Sequence, residues 1–136
     1  RRIKHSLVQI NNPQDKMCLA RAIVVVRTYA DKSDTAEWKR TWDNVRKSNR
    51  AKQRREAELL LRQAGLSKDT PCGNPEMQKL QDVLATRYTL KVYPQEVRGP
   101  LLFRGKNFNN RKYIHVYHHD EHFDAITSIT GIQLVL

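Results

Sequence analysis

The stretch CLARAIVVVRTY, residues 18–29, decides how this chain is read. Leu19, Ala22, Ile23, Val26 and Tyr29 recur at intervals of three and four, the spacing that lines up side chains on one face of an α-helix. The run Ile23 to Val26 is wholly β-branched and pulls toward a strand. The periodicity lasts about three turns, longer than most strands, so a buried helix is the expectation. Asn12-Pro13 marks a turn upstream, which leaves Cys18 at the start of that helix.

Working outward, SDTAEWKRTW (33–42) opens a second helical region, with Asp34 as cap and Glu37 at the capping-box position. Trp38, Trp42 and Val45 form one stripe; Arg46 to Arg55 is almost wholly polar; Leu59, Leu60, Leu61 and Ala64 then restore an apolar face, and Gly65 is a C-cap candidate. Such a segment either projects from the body as a basic helical arm, about residues 34–66, or breaks into two helices. A further helix starts at Asn74-Pro75 and carries Met77, Leu80, Val83 and Leu84 on one side. YTLKVY (88–93), PLLFRG (100–105), KYIHVYHH (112–119) and GIQLVL (131–136) read as strands, and KHSLVQI (4–10) as an edge strand or a lead-in. Helices followed by strands predict an α+β domain over residues 1–136, a small central sheet flanked by helices.

With 136 residues and 39% hydrophobic content, one core forms without staples. The two cysteines are no disulfide framework, so a reducing compartment, cytoplasmic or nuclear, is expected. No stretch is long and apolar enough to span a bilayer, and no membrane partner is expected. The chain begins at Arg1, which suits a domain excised from a longer protein. A net charge of +11 favours phosphate polymers and acidic surfaces. It is concentrated: Lys39 to Arg55 holds eight basic residues against Asp43 alone, a possible nucleic-acid contact through 39–55.

A thiol becomes a nucleophile when a helix N-terminus and an imidazole stabilise its anion. Cys18 meets the first condition, and the preceding loop Asp15-Lys16-Met17 offers backbone N–H groups to an oxyanion. Of five histidines, four lie between residues 115 and 122. His122 has Asp120 two residues before it and Asp124 two after it, and on extended backbone either shares its side. A zinc reading would use His118, His119 and His122 with Asp120 or Cys72, but HExxH and CxxC spacings are missing, so no metal and no cofactor is expected. Cys72, in TPCGNP, reads as incidental.

Two segments carry a resemblance. DKMCLARAI (15–23) resembles the Asp-x-x-Cys-Leu-x-Arg-Ala segment around the nucleophile of ovarian-tumour (OTU) type cysteine deubiquitinases, and HFDAI (122–126) resembles the segment around that family's catalytic histidine. The two occur in the family's order, at the two ends of the chain. Related segments occur in viral and transposon-encoded polyproteins. The resemblance implies a papain-like fold and a monomeric isopeptidase that removes ubiquitin from lysine or from polyubiquitin. Cys18 would be the nucleophile, His122 the general base and acid, and Asp124, in preference to Asp120, the residue orienting His122. Asp15, Lys16 and Met17 would form the oxyanion loop, and Phe123 the aromatic wall beside the histidine. A ubiquitin tail ending Leu-Arg-Gly-Gly calls for a narrow approach with acid near the arginine, a role for Glu121 or Asp120. The ubiquitin body would dock on the region from Trp38 to Leu61, with Trp42. The alternatives are a basic nucleic-acid-binding module and a catalytically dead OTU-like scaffold.

Overall fold

The computed structural model describes residues 7–96, 100–107, 109 and 112–128. The expected strand GIQLVL lies outside them, as does the start of KHSLVQI. Helix α1 (Cys18–Ala30) is the centre of the architecture. Leu19 to Val26 are all buried, including the β-branched run, because α1 is covered on two sides. One side packs on the sheet and the other on the next two helices. Tertiary burial thus overrides the strand propensity of Ile23 to Val26.

Those two helices are α2 (Ala36–Val45) and α3 (Ala51–Gln63). The basic region is therefore broken, and it is not an arm extending from the body: α3 buries Gln53, Ala57, Leu60 and Leu61. A fully buried Gln53 locks the junction, donating to the Val45 carbonyl at 2.9 Å and accepting from Arg21 of α1 at 2.8 Å. The cap of α2 is Thr35, whose hydroxyl accepts the Trp38 N–H, and not Asp34. At the other end of the pair, Gly65 adopts φ +72°, and the Leu66 N–H returns to the Leu61 carbonyl at 2.8 Å. That left-handed residue closes α3 in a Schellman turn, which a β-carbon would strain.

Helix α4 (Asn74–Leu84) covers the strand that follows it. Glu76 reaches back to the Gly73 N–H at 2.8 Å, and Met77, Leu80, Gln81 and Leu84 are buried. Gln81 ties α4 to the sheet: its amide accepts from Leu90 N–H at 2.7 Å and donates to the Tyr88 carbonyl at 3.0 Å. A β-carbon on Gly105 would lie 1.8 Å from the Gln81 Oε1, so that position admits only glycine.

The strands are β1 (Leu7–Val8), β2 (Tyr88–Tyr93), β3 (Phe103–Arg104), β4 (Lys112–His119) and β5 (His122–Ile126). They form one mixed sheet in the order β1-β5-β4-β2-β3, with β2 and β4 parallel and the other neighbours antiparallel. The protein is therefore α+β, with four helices against a five-stranded sheet among the described residues. Strand β5 has no counterpart among the expected strands. It forms a two-residue hairpin with β4, in which Asp120 and Glu121 take φ +49° and +58°. Two successive positive φ angles match the twist of tight hairpins.

Candidate active site

Asp15 fixes the loop that leads into α1. Its carboxylate accepts from the Met17 N–H at 2.9 Å and from the Asn12 amide at 2.7 Å, and pairs with Arg21 at 2.5 Å. Burial would raise its pKa, but the Arg21, Asn12 and Met17 bonds more than offset that and hold it below the usual carboxylate range. Arg21 sits one turn into α1, so this ion pair staples loop to helix and presents Cys18 as the first helical residue.

The hairpin brings the histidine to the same place. His119 and His122 are partners across the tight turn, so the next pair, His118 with Phe123, does not exchange ladder hydrogen bonds, and the Phe123 N–H points to the sheet edge. Strand β1 covers that edge only at Ala125 and Ile126. Cys18 lies at this open edge, near enough to the Phe123 N–H for that group to favour the thiolate. Cys18, His122 and Phe123 thus line one cleft of about 550 Å³, together with Asp15, Lys16, Glu121 and, on the facing wall, Pro71 and Cys72.

Behind His122 lies Asp124, only 3% exposed. Its Oδ1 is 3.1 Å from His122 Nε2 and accepts from the Ile10 N–H at 2.7 Å. Its Oδ2 is 2.6 Å from His119 Nε2. A carboxylate only accepts, so each histidine carries its proton on Nε2 toward Asp124. In the neutral tautomer that this bond favours, Nδ1 is the basic nitrogen of His122.

Burial pushes the Cys18 thiol above its ordinary value, and the Asp124 charge adds to this. The N–H groups of Phe123, Leu19 and Cys18 oppose the shift without cancelling it. The helix N-terminus therefore does not make a resting thiolate by itself, and any nucleophile here depends on a base. Burial raises Cys72 further, to about 11, with Glu76 and Cys18 contributing, so it is a neutral thiol.

Several candidates fall elsewhere. Asp120 is no partner of His122: its side chain is 81% exposed and lies 3.5 Å from His119 Nδ1. Met17 is buried with its N–H occupied by Asp15, and the Asp15 N–H donates to the Asn12 carbonyl at 3.2 Å, which leaves the Lys16 N–H of the expected oxyanion loop, with that of Cys18 beside it. Trp38 and Trp42 do not reach the cleft. They stack on each other at 5.8 Å, and Trp38 donates its indole N–H to the Thr28 carbonyl at 2.9 Å. Thr28 lies roughly 15 Å along α1 from Cys18 at about 1.5 Å per residue. Cys72 is not incidental in position, since it forms part of the cleft wall. His119 was missed as a partner of Asp124; only the cross-strand register reveals it. Among the described residues, no His, Cys, Asp or Glu cluster has a metal-holding arrangement, and no helix is long and apolar enough to cross a membrane.

No protein-family model matches the chain, and no curated protein and no solved structure is significantly similar to it.

Proposed function

We propose that this chain is an OTU-like cysteine isopeptidase that acts on ubiquitin conjugates. The observation that carries the reading is the junction of two chain ends: Cys18 at the head of α1 near the Phe123 N–H, with His122 lining the same cleft and Asp124 on the Nε2 of His122. In this reading His122 Nδ1 takes the Cys18 proton, and the sulfur attacks the carbonyl of a C-terminal glycine joined to a lysine amine. The Lys16 and Cys18 N–H groups receive the oxyanion. Protonated His122 gives its proton to the departing lysine, and a water activated by the same nitrogen releases the acyl group. Asp124 stabilises the imidazolium between those steps. In this reading Glu121, which lines the cleft, supplies the acid for the arginine of a Leu-Arg-Gly-Gly tail.

The test is reaction with ubiquitin bearing a C-terminal electrophile, read as a gel shift. The native chain is expected to form the adduct and Cys18→Ala to form none. Absence of adduct from a folded native chain defeats the assignment of ubiquitin. Alkylation by iodoacetamide then isolates the chemistry. Without a base the raised thiol pKa delays reaction to alkaline pH, so His122→Ala is expected to react at neutral pH well below the native rate. Equal rates would remove His122 as the base.

A further inference from the structure

We propose that the outer face of α2 and α3 docks the phosphate backbone of a duplex nucleic acid, at a surface separate from the Cys18 cleft. Both helices are one-sided. Trp38, Trp42 and Val45 of α2, and Gln53, Ala57, Leu60 and Leu61 of α3, are drawn inward against the body of the protein. What remains outside is positive: Lys39, Arg40, Arg46, Arg50, Arg54 and Arg55 are all exposed.

Three of the acids nearby are already answered, while Glu37 in the first turn of α2 is exposed. Asp43 is engaged by Arg46 at 2.8 Å and Lys47 at 3.6 Å, Glu56 lies 3.7 Å from Arg27, and Glu58 is 4.0 Å from Lys68. Among the described residues no ion pair engages Lys39, Arg40, Arg50, Lys52, Arg54 or Arg55. Six cations held on two consecutive helices and the turn between them repel one another, and a polyanion relieves that repulsion.

Three features select a nucleic acid duplex. Four of the six are arginines, whose planar fork matches phosphate oxygens in pairs. The face offers no free aromatic ring on which single-stranded bases would stack, because Trp38 and Trp42 face each other. Leu59 is the sole large apolar side chain classed as exposed on these helices, too little to enter a lipid surface. None of the six cations lines the Cys18 cleft, which is built from the start of α1 and the β4–β5 hairpin, although Arg54 shares a neighbouring hollow with Asn12 and Asp15.

Anisotropy of a short fluorescein-labelled DNA duplex tests the proposal on the whole chain. Binding is expected at low salt, with log K falling against log salt at a slope on the order of −4, about 0.9 for each phosphate neutralised. Arg54→Glu with Arg55→Glu should weaken binding by roughly tenfold or more and flatten the slope by about 2. Lys39→Glu with Arg40→Glu, on the other helix, should act alike, which guards against one pair simply misfolding. Lys79→Glu with Arg104→Glu changes net charge equally on other elements and should leave affinity within about twofold. The Cys18 alkylation rate should stay native in all three variants. Several results overturn the proposal: no duplex binding at low salt, equal damage from the control pair, equal affinity for polyglutamate, or tighter binding to phosphatidylserine vesicles.

Discussion

Strand β4 carries His115 at its middle and His119 at its hairpin end, on one face, and the two places treat them oppositely. His115 hydrogen-bonds to the Tyr93 hydroxyl at 3.1 Å and stacks beside Tyr113. Burial, and then the positive charge of Lys91, push its pKa down to about 4. Near the hairpin, His119 and its cross-strand neighbour His122 instead share the buried carboxylate of Asp124. One imidazole is buried beside a cation and a phenol; the other two share a hydrogen-bonded carboxylate. A histidine's residue type therefore says little about its chemistry, and its neighbour on the pleat says most.

The strongest way to break this comparison is to remove the charge at one end only. Asp124→Asn keeps the size of the side chain and loses the carboxylate, so the imidazolium of His122 goes unsupported. On a fluorogenic ubiquitin substrate, kcat is expected to fall by roughly 10²- to 10⁴-fold. His115→Gln, four residues from the hairpin's end of β4, should leave kcat unchanged. Comparable losses in both variants would make Asp124 a structural residue like His115.

The second test uses acid in place of mutation. The folded-state pKa of His115 lies below its unfolded value, so the unfolded chain binds the proton first. The stability His115 contributes is complete above about 6.5 and is lost as pH falls from there toward about 4. Urea midpoints across that window should show a loss of up to about 3 kcal/mol that disappears in His115→Gln. Lys91→Met, by removing the nearby cation, should shrink it. Identical pH dependence in native and His115→Gln chains would refute the assignment.

The same contrast separates what was legible in the sequence from what was not. The 3.6-residue spacing in α4 and the alternation in β4 arise from burial of one side and can be read directly, whereas α1 and β2 are buried on both sides and show their pattern less cleanly. The position of Cys18 follows from where α1 begins. The break between α2 and α3 was left open because Arg46 to Arg55 gives no apolar signal, and what fixes the junction is one buried amide, Gln53, reaching Val45 and Arg21. Strand β5 was hidden because its turn, Asp120-Glu121, lacks the glycine or asparagine that advertises positive φ. Missing the hairpin hid the register, and with it the place of His119. The tandem tryptophans looked like a docking surface, yet aromatic residues at helical spacing more often serve a core, and Trp42 also packs 5.2 Å from Tyr29.

His119 offers the finest discrimination. Its Nε2 proton and the Ile10 N–H hold the two oxygens of Asp124, so the carboxylate cannot swing away from His122. Losing one of three bonds should loosen the orientation of His122 without emptying the cleft. His119→Leu is therefore expected to lower kcat by roughly tenfold while KM stays the same, in line with a charge-assisted hydrogen bond of about 1.5 kcal/mol. His119→Gln returns an N–H donor at the same reach and should recover most of the rate. Asp120→Asn marks the lower end of the scale. That carboxylate is solvent-exposed and touches only His119, at 3.5 Å, so kcat should stay within about twofold of native. If glutamine fails to rescue His119→Leu, the histidine acts through packing against Tyr117, 4.9 Å away, and the shared carboxylate loses its functional meaning.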